Sequence, residues 1–258
     1  MLNYKSVNII TIIALLVFII TSYFIKLSLW LLILLPIIWF LITLAGSFFI
    51  KWNYHLKSLH SNKTIKKNLV AITFDDGPHP EFTPKVLELL KTYNAKATFF
   101  CVGKHIEAYP DVFNEIVKQG HTVGNHTYSH ANNFGFLKTQ KVVEELLKTN
   151  TIAKKHIGFT MKLYRPAFGV TNPRIKNAIK VTRLQSIGWS IRSLDTTFRT
   201  PEKIFNRTTK NLTKGDVILL HDTSSKSIMV LERLLLFLQQ QNMESVTIDS
   251  LFNIKPYA

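Results

Sequence analysis

The start of the chain is far more hydrophobic than the rest of it. From residue 7 to residue 50 the sequence is almost wholly apolar, and Lys26 is the only charged residue in that stretch. Because about 20 apolar residues span a membrane, this length predicts two transmembrane helices, Val7–Ile25 and Leu27–Ile50, joined by a very tight turn. A single tilted or broken span is the alternative. A secretory signal peptide fits less well, since its apolar core is shorter and no small-residue cleavage site precedes the second apolar run.

Polar and basic residues follow the second predicted helix at once. Residues 51–68 lack strong periodicity and contain five lysines, whereas the turn between the helices offers only Lys26. By the positive-inside rule this predicts a hairpin with both chain ends in the cytoplasm, although a single tilted or broken span would place the domain on the opposite side. The membrane we expect is a bacterial inner membrane, with the side of the domain left open. We therefore expect a membrane-anchoring hairpin at 1–50, a basic juxtamembrane linker at 51–68 and a folded domain at 69–258.

From Leu69 onward, short apolar runs alternate with segments of helical periodicity. The strand-like runs are Leu69–Phe74, Ala97–Val102, Thr122–Val123, Leu163–Tyr164, Gln185–Trp189, Val217–Leu220 and Val246–Ile248. The helical segments are Pro84–Thr92, Pro110–Gln119, Thr139–Lys155, Pro173–Lys180, Pro201–Asn211 and Ser227–Gln241. Repeated strand–helix units imply parallel strands with helices outside. Six or seven units in about 190 residues predict an α/β fold, a distorted and incomplete β/α barrel, with a doubly wound open sheet as the alternative.

The charge of the chain limits its possible partners. Lys+Arg 32 against Asp+Glu 16 gives a formal net charge of +16. The basic residues are scattered and no nucleic-acid-reading motif accompanies them, so a nucleic-acid partner is not predicted, and anionic lipid or glycan fits the charge. Cys101 is the single cysteine, which excludes an intramolecular disulfide, and we expect it to be a buried core residue.

Two adjacent carboxylates follow the first strand-like run of the domain. Asp75 and Asp76 stand before Gly77-Pro78, which ends the strand. Neighbouring carboxylates repel each other, and a metal ion removes that cost by taking one as a ligand and leaving the other free as a base. The alternative is that the two aspartates only cap the next helix.

Two histidines four residues apart follow the short run Thr122–Val123. On a helical turn His126 and His130 would lie on one face, within reach of one ion. With Asp76 they would supply three protein ligands and leave a position open for water, which is the pattern of catalytic metal sites. Imidazole and carboxylate ligands suit zinc, and cobalt, nickel or manganese also fits.

Three further polar clusters follow strand-like runs. Arg165 can hold a carboxylate with both arms of its guanidinium group. His221, after Val217–Leu220, can act as a general acid near neutral pH. The segment Trp189–Asp195 is the third cluster. Because the carboxyl ends of barrel strands carry active sites, five such clusters predict an enzyme.

Taken together, five segments resemble the ordered motifs of the polysaccharide deacetylases, carbohydrate esterase family 4, also called the NodB-homology domain. The segments are Thr73–Pro78, His126–His130, Arg165–Gly169, Trp189–Asp195 and Leu220–Asp222. The resemblance covers the chain from about Leu69 and leaves out the apolar segment. It implies a distorted β/α barrel, one divalent metal ion, most often Zn²⁺, and hydrolysis of N-acetyl groups on amino sugars.

The resemblance also implies a role for each site residue, carried over by position. Asp75 is expected to be the base, His221 the acid and Arg165 the residue that orients the base, with Asp76, His126 and His130 as metal ligands. The backbone near Phe168 is expected to be the oxyanion donor, Leu220 to line the pocket for the acetyl methyl group, and Trp189 to contribute to substrate binding.

Three positions depart from the family pattern. Pro166-Ala167 replaces the more usual second proline before the aromatic residue. The family often has Asp where this chain has Arg192 and Trp where it has Thr196. That Asp normally holds the acid, so either Asp195 or Asp222 is expected to support His221 instead.

The function implied is a hydrolase of carbon–nitrogen bonds other than peptide bonds, which removes N-acetyl groups from a cell-envelope glycan such as peptidoglycan or a chitin-like polymer. One alternative is a deacylase of a membrane lipid-linked sugar, which the predicted hairpin favours. Another is a catalytically dead glycan-binding protein, which Arg192 and Thr196 favour. No phosphate loop, nucleophile elbow or Rossmann glycine pattern is present, which argues against kinases, serine hydrolases and dehydrogenases. No protein partner is implied.

Overall fold

The structure, a computed structural model, describes residues 3–25, 28 and 30–258. The helices in these residues are α1 (Tyr4–Phe24), α2 (Trp30–Phe48), α3 (Phe82–Thr92), α4 (Gly103–Ala108), α5 (Pro110–Lys118), α6 (Thr139–Ile157), α7 (Pro173–Thr182), α8 (Pro201–Thr209), α9 (Ser225–Gln240) and α10 (Ile248–Phe252). The strands are β1 (Leu69–Asp75), β2 (Ala97–Cys101), β3 (Thr122–Asn125), β4 (Leu163–Tyr164), β5 (Gln185–Ser186), β6 (Ile191–Arg192), β7 (Val217–His221) and β8 (Glu244–Ser245).

The strands form one parallel sheet that curls into a half-barrel. Their order is β5-β4-β3-β2-β1-β7-β6, and β8 pairs with the start of β1. β5 and β6 are the two edges, so the barrel has an open seam between them. The predicted α/β fold, an incomplete β/α barrel, is confirmed, and the doubly wound alternative is wrong.

Side chains alternate between the two faces of each strand. On β1, Val70, Ile72 and Phe74 pack in the cluster that also contains the buried leucines of α9, so they face the helices. Ala71 belongs to a second cluster, which fills the inside of the half-barrel together with Phe100, Leu163, Ile187, Trp189, Val217 and Leu219. Because Asp75 stands four residues after Ala71, it shares this inner face at the carboxyl end of the sheet.

Several elements differ from the sequence prediction. The chain leaves the sheet after Ser186, because the Gly188 N–H donates to Leu59 O over 2.7 Å, and it returns as β6, which was not predicted. The last strand is Glu244–Ser245 and not Val246–Ile248, because Thr247 caps a short helix there. The short helix α4 was also missed. Cys101 is fully buried in the core, as expected.

The apolar N-terminal stretch forms two helices that pack against each other. Trp39 Nε1 on α2 donates to Asn8 Oδ1 on α1 over 2.7 Å. Among the described residues, α1 is long and apolar enough to cross a membrane, whereas α2 contributes the shorter apolar stretch Leu32–Phe48. The predicted tight turn at residues 26–27 lies outside the described residues.

Residues 51–68 lie against the barrel. Tyr54, His55 and Ser58 are buried. Leu59 pairs with Ile187 beyond β5, and Ser61 pairs with Asp216 before β7, so the segment covers the open seam. The proposed division into a linker and a domain that begins at Leu69 stays a prediction.

Candidate active site

Asp75 and Asp76 end β1 in different environments. Asp75 is 4% exposed on the inner face of the half-barrel. Asp76 has a φ of 75°, in the left-handed region, where a residue with a Cβ atom is destabilised by about 1–2 kcal/mol. Helix α3 has Glu81 at its N-cap and no side-chain cap. The two aspartates therefore do not cap this helix, and the alternative of a purely structural pair is not supported.

Arg165 is fully buried and fixes the direction of Asp75. Its Nη1 donates to Asp75 Oδ1 over 2.9 Å and to Thr73 Oγ1 over 2.6 Å. Its Nη2 donates to Gly188 O over 2.9 Å. The expected two-armed contact with a carboxylate is not formed, because the second arm binds this carbonyl. A guanidinium held at both ends still gives Asp75 a single orientation.

Asp76, His126 and His130 bring three possible metal ligands together. Asp76 Oδ1 lies 3.3 Å from Nε2 of His126 and 3.3 Å from Nε2 of His130. All three ligand atoms lie within 4.8 Å of one another. Nδ1 of His126 lies 2.9 Å from Arg165 O, so a proton on Nδ1 leaves the Nε2 lone pair aimed at the other two residues.

The segment His126–His130 is an irregular loop and not the helical turn that the spacing suggested. Thr127 and His130 have φ angles of 67° and 49°, which a right-handed turn does not allow. Glu145 of α6 holds the loop, since its Oε2 accepts hydrogen bonds from the N–H groups of Tyr128 and Ser129. The two histidines meet as predicted, with ring centroids 4.8 Å apart.

His221 ends β7 and is held from behind by Asp195. Asp195 Oδ1 lies 2.8 Å from His221 Nδ1, and its Oδ2 accepts from the His221 N–H over 2.8 Å. The hydroxyls of Ser193 and Ser227 donate to the same carboxylate over 2.8 Å each. The opposite ring nitrogen, Nε2, lies 3.8 Å from Asp76 Oδ2 and faces the three possible ligands. Of the two expected supports, Asp195 is thus the one that contacts the imidazole of His221.

Asp222 lies against the loop that carries Asp76. Its Oδ2 accepts a hydrogen bond from Thr83 Oγ1, and a Cβ atom at Gly77 would clash with the carboxyl group. Burial raises the pKa of Asp222 to about 7, against the effect of the Thr83 hydrogen bond. The position indicates that Asp222 supports the loop after β1.

The protonation states in the site follow from its burial and its charges. Burial acts to raise the pKa of Asp76, but the hydrogen bond and charge of His126, with His130 and His221, lower it overall. Burial and the nearby His126 lower the pKa of His130 to about 4. For His221, burial acts to lower the pKa, and Asp195 with the other carboxylates raises it to about 9. Near neutral pH, Asp76 and His130 therefore have the forms that bind a cation, and His221 the form that donates a proton. For His126, burial acts to lower the pKa, but Asp75 and Asp76 raise it overall, so a cation would displace a proton from this ring on binding.

The three predicted substrate contacts lie in different places. Phe168 is 43% exposed and its ring centroid lies 4.5 Å from that of His130. Trp189 is buried, and the Arg165 guanidinium carbon lies 5.7 Å from its ring centroid. Leu220 is fully buried in the cluster under the helices, so the structure does not bring it to the site, and Leu219 lies on the His221 side instead. The substrate roles of these residues stay predictions.

Sequence reasoning missed three residues that support the site. Thr73 binds Arg165, Ser227 binds Asp195, and Glu145 holds the histidine loop. Thr73 could have been found, because residues two apart on a strand share a face and Thr73 precedes Asp75 by two. Ser227 and Glu145 lie on helices far along the chain, where no local pattern marks them.

Comparison with known proteins identifies the family of the chain. The family described as "Polysaccharide deacetylase" matches residues 62–187. One peptidoglycan-N-acetylglucosamine deacetylase of Bacillus cereus is 35% identical over 190 residues, which cover 71% of this chain and 68% of the relative. A second one from the same organism is 34% identical over 196 residues, which cover 73% of this chain and 90% of the relative. The solved structure of the Bc1960 peptidoglycan N-acetylglucosamine deacetylase has a TM-score of 0.72 and 32% identity, over 78% of this chain and 94% of that one. The chain belongs to the polysaccharide deacetylase family.

Proposed function

We propose that this protein is a membrane-anchored, metal-dependent N-deacetylase of amino sugars in a cell-envelope glycan, such as peptidoglycan or a chitin-like polymer. One observation carries the proposal: Asp75 and His221 both lie against the Asp76–His126–His130 cluster, and each is held by its own partner. A base and an acid beside one cation site are what amide hydrolysis requires. The relatives' activity on peptidoglycan supports the choice of substrate.

The three clustered side chains fit one divalent cation. Two imidazole nitrogens and a carboxylate oxygen are ligands that zinc accepts, and three protein ligands leave room for substrate. Arg165 O fixes the ring of His126 from behind, which is the usual outer contact of a metal-binding histidine. A cation bound there would polarise the acetyl carbonyl and make a water molecule more acidic.

Each side chain around this cluster has a separate task. Asp75, fixed by Arg165, accepts the proton of the attacking water. Asp195 keeps the proton of His221 Nδ1, so Nε2 faces the site and gives its own proton to the leaving amine. The products are acetate and a free amino sugar. Phe168, exposed beside His130, would contact the sugar and present its backbone N–H to the developing oxyanion.

The departures at Arg192 and Thr196 do not argue for a dead site. Both side chains are exposed, and Arg192 lies over the Trp189 ring at 5.7 Å from its centroid. With Arg192 and Thr196 at these positions, Asp195 still makes both of its hydrogen bonds with His221.

The test compares Asp75→Asn with Asp76→Asn. We expect Asp75→Asn to keep the metal and to release acetate on the order of a hundredfold more slowly or worse, because it removes a positioned base and keeps the shape. Asp76→Asn should lose metal and activity together. The measurements are metal content and acetate released from N-acetylglucosamine oligomers and peptidoglycan fragments. Wild-type activity in Asp75→Asn would refute the assignment of the base, and an inactive wild type that still binds glycan would refute the enzyme.

A further inference from the structure

A groove of about 740 Å³ lies beside the half-barrel where the apolar helices join it. One wall is formed by the end of α2 and the residues after it, with Phe48, Phe49 and Lys51. The other wall is formed by β6 and α8, with Arg192 and Arg207. The described lining residues include none of the proposed metal, acid or base residues, although they include Trp189, a predicted substrate contact, so the groove adjoins the candidate active site.

The walls of this groove carry uncompensated positive charge. Its single described acidic lining residue, Asp216, is already paired with Lys63, with Nζ 2.6 Å from Oδ1. In the part of the chain that the structure describes, Lys51, Arg192 and Arg207 form no ion pair. Cations that face one groove without a counter-charge repel one another, and an anion between them would relieve that repulsion.

The two arginines are held in place without any anion. Arg207 Nε donates to Arg192 O over 2.8 Å, and the Arg192 guanidinium lies over Trp189. The remaining guanidinium N–H groups of both residues stay available to an oxyanion. Guanidinium groups match the geometry of phosphate and carboxylate groups with paired hydrogen bonds, so the donors alone accept either anion.

The wall formed by the end of α2 is apolar apart from Lys51 and continues the exposed surface of the N-terminal helices. Phe48 and Phe49 are each 58% exposed, and the Phe49 ring stacks on Trp52 at 5.2 Å. Aromatic residues at the end of an apolar helix are typical of the membrane–water interface. An apolar wall that leads to a cation cluster matches a molecule with a hydrocarbon chain and a phosphate head.

We propose that this groove binds the phosphate group of a membrane lipid. Arg192, Arg207 and Lys51 contact the phosphate, and the hydrocarbon chain lies along the exposed side of Phe48 and Phe49. The site rests on the proposed membrane anchoring and is independent of the deacetylase activity. Two kinds of lipid share this chemistry, namely phospholipids of the bilayer and prenyl phosphates that carry sugars.

The test measures lipid binding by the full-length protein in a nonionic detergent, using native mass spectrometry. The probes are phosphatidylglycerol, a long-chain prenyl phosphate, phosphatidylcholine and sodium phosphate. We expect the wild type to retain an anionic lipid and the Arg192→Gln/Arg207→Gln variant to bind it on the order of tenfold more weakly or worse, because two charge-assisted contacts are lost. Retention of phosphatidylglycerol identifies a bilayer lipid, and selective retention of prenyl phosphate identifies a sugar carrier.

The matched control is Arg174→Gln/Arg233→Gln. It removes the same charge and similar contacts, since Arg174 donates to Phe136 O and Arg233 lies over the Phe205 ring; it also removes the exposed ion pair of Arg233 with Glu202, over 3.7 Å. This control should bind lipid within about twofold of the wild type. If the first variant does not fold, Lys51→Gln replaces it, because Lys51 is an exposed residue of the groove. Any one of three results would overturn the proposal. The groove variant and the control variant would bind the anionic lipid equally well, the wild type would bind phosphatidylcholine as strongly as the anionic lipid, or sodium phosphate would displace the anionic lipid completely.

Discussion

At the scale of single residues, Asp195 determines both the position and the charge of His221. It is fully buried and yet accepts four hydrogen bonds, two from His221 and one each from Ser193 and Ser227. A buried carboxylate is destabilised unless it is compensated, and these four donors compensate it. Although burial acts to raise the pKa of Asp195, the contacts with His221 and Ser193 lower it overall.

We expect Asp195→Asn to shift the pH profile of the enzyme as well as its rate. Asparagine replaces one acceptor oxygen with an NH₂ group, so at least one pair of these donors loses its acceptor. The negative charge that raises the pKa of His221 is also lost, so this pKa falls. A general acid must be protonated, and activity is lost as the pH rises through its pKa. The high-pH limb of the acetate-release profile should therefore move to lower pH, with a rate on the order of a hundredfold lower.

Asp222→Asn is the control for this effect. Asp222 is also buried and follows His221 directly, but its described side-chain hydrogen bond comes from Thr83. Asp222→Asn can lower the rate because it disturbs the loop after β1. It should nevertheless leave the high-pH limb of the profile closer to the wild-type position than Asp195→Asn does. A larger shift with Asp222→Asn would mean that Asp195 does not tune the acid.

At the scale of the elements, the sequence predicted correctly which residues follow the strand ends and therefore meet at one edge of the sheet. The motifs around Asp75, His126 and His221 follow apolar runs, and parallel strands bring such ends to one edge of a sheet. The alternation of side chains along a strand could also have shown that Leu219, and not Leu220, lies on the same face as His221, because neighbouring residues face opposite sides. The choice of Asp195 over Asp222 could not be predicted, since it depends on β6, a two-residue strand with no hydrophobic run.

We expect the stability of the barrel to depend on pH because of His121, which lies just before β3. Its Nδ1 accepts a hydrogen bond from the Ala97 N–H over 3.2 Å, which requires an unprotonated nitrogen. Burial, with a smaller effect of Lys96, lowers the pKa of His121 to about 4. The unfolded chain binds this proton near its ordinary pKa of 6.5, so stability is full above that pH and falls as the pH drops toward 4. We expect the free energy of unfolding to fall by about 3 kcal/mol over this pH range because of His121.

The measurement is chemical denaturation of the protein in detergent at about pH 5 and about pH 7.5. In His121→Asn the amide oxygen keeps the acceptor and removes the titration, so the free energy of unfolding should depend less on pH than in the wild type. His156→Asn, at an exposed histidine, should behave as the wild type does. The same pH dependence in the His121 and His156 variants would contradict this account.

At the scale of the whole molecule, the N-terminal segment and the half-barrel are physically continuous. Ser47 O accepts from the Thr171 N–H over 2.9 Å, and Ile50 is 3% exposed within the inner core cluster. The open seam is covered by the residues between the helices and β1, where the Gly188 N–H binds Leu59 O. Under the proposed membrane anchoring, the N-terminal helices would therefore hold the barrel, and the groove beside it, in a fixed position at the membrane.

Two truncations test where the folded domain begins. A chain of residues 51–258 keeps the seam contacts, namely Ser58 Oγ 2.7 Å from Ser186 Oγ, the Leu59–Ile187 pair and the Lys63–Asp216 ion pair. We expect it to be folded and soluble, with a cooperative thermal transition followed by circular dichroism. A chain of residues 69–258 loses these contacts and the packing of Leu59 and Ile65 against the inner core cluster. It should therefore be less stable by on the order of 3 kcal/mol, the amount for one or two lost apolar side chains. Equal stability of the two chains would mean that residues 51–68 are a dispensable linker and that the domain begins at Leu69.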